Sequence, residues 1–300
     1  MSRLSGRRLA MAEGRSREAL IAQALGTVLD RDVAITECSL LGGSTGKRSF
    51  RVAAEGEQYV VRLGDGLYGE TLDLEEEADL MRAAAVAGLA PEVVGTDPAT
   101  GTLVTRWLAG AQVWTERTAR RPREIARIAA LLRKLHALNV RLPPFEARQV
   151  ARRYISEAHR RRPQDTDTET AELARELTTL AERYDDRFPP TAICHNDLVA
   201  ANILDTGELK LVDFEYAVRA APVLDLASLA AMNRMDAGQR RLLVETYCPD
   251  GRAPFSEDEF KRVVRMVNLI TLFWARSQDD ESQRTIPEYA DPARLLDEQP

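Results

Sequence analysis

Apolar side chains recur at helical spacing over residues 18–30 (EALIAQALGTVLD), and then the period changes. Residues 35–66 alternate in patches between glycines and predict three short antiparallel strands near 34–41, 48–54 and 58–63. Residues 73–87 (DLEEEADLMRAAAVA) return to helical spacing, closed by Gly88 and stopped before Pro91. The stretch 91–110 predicts two more strands around a turn at 97–101. Beyond 110 the pattern is helical. In 123–138 the apolar positions 125, 128, 131, 132 and 135 line one face, and 150–160 and 168–184 are further amphipathic stretches. One apolar run, 191–217 (TAICHNDLVAANILDTGELKLVDFEYA), interrupts them and reads as strand, loop, strand, turn, strand. Helices resume at 223–233, 236–247 and 256–276. This pattern describes an α+β chain in two lobes. The first, 17–108, holds a small antiparallel β-sheet with one helix inserted after its third strand. A connector near 106–112 leads to a larger helical lobe, 109–278. A flexible basic leader (1–16) and a polar tail (279–300) flank them, and a ligand is expected in the cleft between lobes.

Composition narrows the class. The chain has 300 residues, 44% hydrophobic and 29% charged, which suits a globular protein with ample core. A net charge of −6 argues against a nucleic-acid binder that works through a broad basic field. No apolar run approaches the roughly 20 residues needed to span a bilayer, and the basic N-terminus lacks the apolar stretch of a secretory signal. Cys38, Cys194 and Cys248 are far apart and contain no CxxC, so a cytoplasmic protein with reduced thiols is expected. Cations are almost all arginine; the lysines are Lys47, Lys134, Lys210 and Lys261.

The candidate chemistry sits in the apolar run. His195, Asp197 and Asn202 fit H-x-D-x-x-x-x-N, and Asp213 follows eleven residues later in LVDFEYA. Phosphoryl transfer asks the protein for positioning and charge neutralisation rather than covalent work. In that chemistry Asp197 orients an acceptor hydroxyl and takes its proton. The Asn202 amide oxygen and the Asp213 carboxylate are hard oxygen ligands suited to Mg²⁺. His195 is expected to hydrogen-bond backbone and hold Asp197 in place, an acid–base role being the alternative. His136, on the face of LLRKLHAL, reads as a packed or hydrogen-bonded helix residue. In the first lobe, Gly42, Gly43, Ser44, Thr45 and Gly46 lie between two predicted strands, where backbone amides can approach phosphate oxygens; a plain glycine hairpin explains them equally well. They are not a P-loop, since Leu41 and Arg48 stand where Gly and Ser/Thr are required.

These motifs resemble the choline/ethanolamine kinase branch of the aminoglycoside phosphotransferase-like kinases, a superfamily with the protein-kinase-like two-lobed fold. The resemblance runs from about residue 38 to 276 and rests on His195, Asp197, Asn202 and Asp213, with D-F-E-Y-A similar to choline kinases in particular. It implies ATP and Mg²⁺ as cofactors. It also implies a cation on the third strand for the nucleotide phosphates. No lysine lies between Lys47 and Lys134, so Arg62 takes that place, and its fork suits bidentate phosphate contact. Its helix partner is expected to be Glu77, by distance from the GLAP turn, over Glu75 and Glu76. Asp225 matches the family aspartate that braces the catalytic loop.

The resemblance implies a small cationic alcohol as partner, choline first. A quaternary ammonium wants aromatic faces and a carboxylate; Glu215, Tyr216 and Trp274 are the candidates, although ordinary helix packing accounts equally for Trp274. Ethanolamine, thiamine and aminoglycosides remain open as acceptors, as does a nucleotide-binding pseudokinase that acts as an interaction module. Intact Asp197, Asn202 and Asp213 weigh against the pseudokinase.

Overall fold

The computed structural model describes residues 17–41, 48–64, 72–163 and 168–278. The leader 1–16, the glycine segment 42–46 and the tail 279–300 lie outside the described residues. The chain divides into two units, 1–112 with 204–216 and 113–203 with 217–300.

In the first unit, α1 (Arg17–Leu29) turns Ile21 and Leu25, both fully buried, onto the sheet. That sheet is antiparallel with the order β1-β2-β3-β5-β4, where β1 is Ile35–Leu40, β2 Arg48–Ala54 and β3 Glu57–Leu63. Glu55 and Gly56 join β2 to β3 with φ of 54° and 82°, the left-handed pair that a tight hairpin between right-twisted strands requires. The turn sets the register, Ala54 opposite Glu57 and Phe50 opposite Val61. It thereby places Phe50, Val52, Tyr59 and Val61 in one core with Ile21 and Leu25. Between β3 and the next strand comes α2 (Leu74–Val86), begun by a capping box of Asp73 and Glu76. It ends where Gly88, φ 75°, lets Leu89 N–H return to the Ala84 carbonyl. The sheet is completed by β4 (Val93–Asp97) and β5 (Thr102–Arg106).

Residues 204–216 belong to this unit rather than to their sequence neighbours. Leu211 N–H donates to Leu89 O at 2.7 Å, Leu72 N–H donates to Glu215 O at 3.1 Å, and Lys210 Nζ donates to Gly88 O. The partition therefore differs from one made along the sequence alone, because a segment more than a hundred residues downstream supplies hydrogen-bond partners to the flanks of α2.

The two-residue β6 (Gln112–Val113) precedes the second unit, which is mainly helical. A single-turn α3 (Glu116–Ala119) leads into α4 (Pro122–His136), whose buried face includes Ile125, Ile128, Leu132 and Leu135. Next come α5 (Ala147–Arg161) and α6 (Thr168–Arg187), packed on each other. Three three-residue strands occupy the predicted apolar run, β7 (Ala192–Cys194), β8 (Ile203–Asp205) and β9 (Leu209–Leu211), the last of them in the first unit, and β10 (Val218–Ala220) follows just past it. β10 pairs antiparallel with β7. The last three helices are α7 (Val223–Met232), α8 (Ala237–Tyr247) and α9 (Glu257–Ser277). α7 is buried along nearly its whole length and packs on α9, which also receives α5 and α6. Among the described residues, no helix is long and apolar enough to cross a membrane.

Candidate active site

In the second unit, β7 delivers the chain into the loop 195–202, and the first turn of α7 secures it. Asp225, fully buried on α7, accepts His195 N–H on Oδ2 at 2.9 Å and Asn196 N–H on Oδ1 at 2.8 Å. Asn196 has φ 62°, a conformation asparagine tolerates better than most residues, and this bend turns the chain toward Asp197. The fully buried His195 accepts Asp197 N–H on Nδ1 at 3.3 Å. Further along, Leu198 N–H donates to Ser228 Oγ and Leu198 O accepts Asn233 Nδ2, so the loop is pinned on α7 at three successive points.

Asn202 closes the loop. Its Nδ2 donates both to the Asp197 carbonyl at 3.0 Å and to Asp197 Oδ2 at 2.8 Å. Both amide protons of Asn202 are thus committed, and its Oδ1 has only acceptor chemistry to offer. A carboxylate held at two levels and a neighbouring amide oxygen form a donor set that fits a hard divalent cation together with a proton acceptor. Just before the loop, burial first and the Asp225 charge second push the Cys194 thiol well up, so Cys194 stays protonated there. Its Sγ lies 3.6 Å from Ala221 O.

The first unit assembles a second group. Arg62 on β3 donates through Nη1 to Asp213 Oδ1 at 3.1 Å and through Nη2 to Glu77 Oε2. Arg62 and Glu77 are buried, and Asp213 is partly exposed at 25% of its side chain. Burial by itself would lower the Arg62 pKa, but the charges of Glu77, Asp213 and Glu215 outweigh it and leave the guanidinium firmly ionised. Arg62 Nε is buried with no hydrogen-bond partner among the described residues. An orphan guanidinium N–H beside two carboxylates fits an incoming phosphate oxygen.

The three consecutive glutamates of α2 have separate work. Glu75 accepts Thr96 Oγ1 at 2.6 Å, Glu76 closes the capping box, and Glu77, on the buried face with Leu74, Ala78 and Met81, meets Arg62. Asp213 has φ 65°, a strained conformation for a non-glycine residue, between half-buried Val212 and fully buried Phe214.

The structure brings together Arg62, Glu77 and Asp213 in one unit and His195, Asp197 and Asn202 in the other. Gly42, Gly43, Ser44, Thr45 and Gly46 lie outside the described residues. Glu215 is buried, and its charge contributes to the field at Arg62. Tyr216 is half-buried on the first unit, and Trp274 is half-buried near the end of α9 in the second. Sequence reasoning missed the partners of His136, which bonds Asp225 and Tyr247, and it also missed Ser228 and Asn233 as loop anchors. Neither spacing nor composition marks these contacts.

Comparison with known proteins adds three findings. Residues 37–257 match the model of a family described as "Phosphotransferase enzyme family". A curated relative, Protein LicA of Haemophilus influenzae, is 23% identical over 255 residues, covering 82% of this chain and 74% of that protein. Among solved structures, the choline kinase LicA from Streptococcus pneumoniae superposes with a TM-score of 0.74 at 20% identity, over 91% of this chain and 98% of its own. A choline/ethanolamine kinase family protein from Mesorhizobium loti gives 0.64 at 28% identity, over 86% and 90% of the two chains. The chain shares the protein-kinase-like α+β fold of these proteins.

Proposed function

The chain belongs to the phosphotransferase enzyme family, and from that premise we propose that it transfers the γ-phosphoryl group of MgATP to the hydroxyl of choline or a related amino alcohol such as ethanolamine. The observation that carries the proposal is the doubly anchored Asp197, whose carboxylate and carbonyl both accept the Asn202 amide. We assign the Asp197 carboxylate to face an acceptor hydroxyl. As the acceptor oxygen forms its bond to the γ-phosphorus, the bridging bond to ADP breaks and Asp197 takes the hydroxyl proton. Arg62, kept ionised by Glu77 and Asp213, is assigned to the nucleotide phosphates. Asn202 Oδ1 and the Asp213 carboxylate would hold Mg²⁺. Bound there, the ion would neutralise charge on the phosphate oxygens. Backbone amides of Gly42–Gly46 are assigned to the same phosphates.

For the acceptor we assign Glu215, Tyr216 and Trp274 to the cationic head. Two of the solved relatives carry choline or ethanolamine in their names, which supports a small cationic alcohol as acceptor. None of Cys38, Cys194 and Cys248 forms a disulfide, which suits a reducing, cytoplasmic compartment. The test is ATP turnover in a coupled assay with Mg²⁺ and a panel of choline, ethanolamine, thiamine and kanamycin, with Asp197→Asn as the blank. Choline- or ethanolamine-dependent turnover that vanishes in the variant is the expected result. Turnover confined to kanamycin or thiamine would keep the phosphotransferase and discard the amino alcohol.

A further inference from the structure

His136, Cys194 and Asp225 bring ligand atoms within 4.8 Å of one another in the second unit, a grouping that could hold a metal ion. Their hydrogen bonds speak against a metal. Asp225 spends Oδ1 on Asn196 N–H and Oδ2 on both His195 N–H and His136 Nε2, the latter at 2.9 Å. The other ring nitrogen of His136, Nδ1, lies 2.7 Å from Tyr247 Oη. Every atom that would bind a metal already has a partner, so the cluster is a polar network.

The network has a direction. Asp225 is fully buried, and among the described residues no lysine or arginine pairs with it, so its charge is balanced by hydrogen-bond donors alone. An ionised carboxylate only accepts, so His136 presents Nε2–H to Asp225. Its Nδ1 is then the acceptor, and the Tyr247 hydroxyl donates to it. Burial first, and neighbouring thiols and Asp225 next, push the Tyr247 phenol up, consistent with a group that keeps its proton. Arg133, one turn before His136, donates to Thr246 O at 2.6 Å and fixes the end of α8 against α4. Three helices therefore converge on one carboxylate, which holds the first two amides of the catalytic loop.

We propose that His136 is a positioning residue for phosphoryl transfer: its Nε2–H fixes the Asp225 carboxylate that anchors His195 and Asn196, and through them the placement of Asp197. This rests on the reading of Asp197 as the group facing the acceptor. Without the third donor the Asp225 carboxylate is held only by the two loop amides it is meant to position, and their placement loosens. A misplacement of about 1 Å at a reacting group costs on the order of a hundredfold in rate.

The experiment compares His136→Leu, His136→Gln, Tyr247→Phe and Asp197→Asn in the full chain, using the acceptor that gives the highest turnover in the panel above. Glutamine carries an amide N–H close to where Nε2–H stands; leucine carries none. The expected result for His136→Leu is a kcat lowered about 30-fold with the KM for MgATP within about twofold. His136→Gln recovers kcat to within about threefold of wild type, and Tyr247→Phe, which keeps the ring, loses about threefold. Amide hydrogen exchange over residues 193–203 speeds up in His136→Leu and is restored in His136→Gln; this readout needs no acceptor. Equal kcat in the leucine and glutamine variants, or unchanged exchange in both, would overturn the positioning role. If His136→Leu does not fold, an unchanged kcat and unchanged loop exchange in Tyr247→Phe overturn it instead. Wild-type turnover in Asp197→Asn would remove the reading of the loop itself while leaving the exchange result to stand on its own.

Discussion

Arg62 Nη1 stands 3.1 Å from Asp213 Oδ1, although 151 positions separate the two residues. The same guanidinium is gripped by Glu77, so one buried cation ties strand, helix and the Asp213 turn into a single electrostatic unit. Removing one partner of a buried pair leaves a charge without its full compensation. Glu77→Gln is therefore expected to destabilise the protein by about 3 kcal/mol, the low end for such a loss because Asp213 remains. Urea unfolding followed by circular dichroism checks it; a change below about 1 kcal/mol would mean that water replaces the glutamate at little cost.

Asp197→Asn keeps the loop's shape, because the new side-chain oxygen still accepts the Asn202 amide. It removes the carboxylate proposed as the base. Turnover is expected to fall by about 10²–10⁴-fold with MgATP affinity within about threefold. Single-turnover kinetics beside equilibrium nucleotide binding separates the two quantities.

Asp213→Ala takes away a carboxylate proposed for Mg²⁺ and also frees one arm of Arg62. Calorimetry is expected to show ATP affinity that no longer responds to Mg²⁺, where the wild-type affinity drops on addition of EDTA and returns with Mg²⁺. An Mg²⁺ response that survives in the variant would assign the ligand elsewhere.

Ser256 opens α9 with a capping box, its hydroxyl accepting Glu259 N–H while Glu259 Oε2 accepts Ser256 N–H at 2.7 Å. Ser256→Ala is expected to cost about 1 kcal/mol with kcat unchanged. Glu259 is held below its ordinary value of 4.5, first by the Ser256 amide and then by Arg187. A lowered folded-state value means that the ionised form stabilises the fold fully above the ordinary value, and that this contribution is lost as pH falls through the lowered one. The stability advantage of wild type over Glu259→Gln is therefore expected at pH 7 and expected to shrink as pH falls below the ordinary value of 4.5. Chemical denaturation across that range decides it.

Much of the fold is legible in the amino-acid sequence. Long periodic segments such as α4 and α9 declare themselves, because a three-turn apolar stripe has no other economical reading. Glu77 is singled out by its distance from the GLAP turn, and it lies on the buried face of α2 while Glu75 and Glu76 do not. Among the short strands, β7, β8 and β9 fall where the apolar run 191–217 predicts strand, loop, strand, turn, strand, whereas β10 lies just past it and three residues are too few for alternation to show. Single-turn α3 carries no period at all. The histidine network is hidden for a different reason. His136 finds Asp225 89 positions on and Tyr247 111 positions on, and a lone histidine on an amphipathic face carries no trace of such partners.

The return of residues 204–216 to the first unit bears on how the chain is made. On a ribosome the five-stranded sheet emerges early, yet Gly88 waits for Lys210, 122 residues downstream, and Leu89 waits for Leu211. Until then the nascent first unit displays unmatched carbonyls at the end of α2 and lacks the aspartate that shares Arg62's charge. Because α4, α5 and α6 are translated in the interval, the first unit is completed only after much of the second has already left the exit tunnel. Synthesis that stalls between residues 113 and 210 thus releases a chain with no finished unit, a natural target for proteolysis and chaperones.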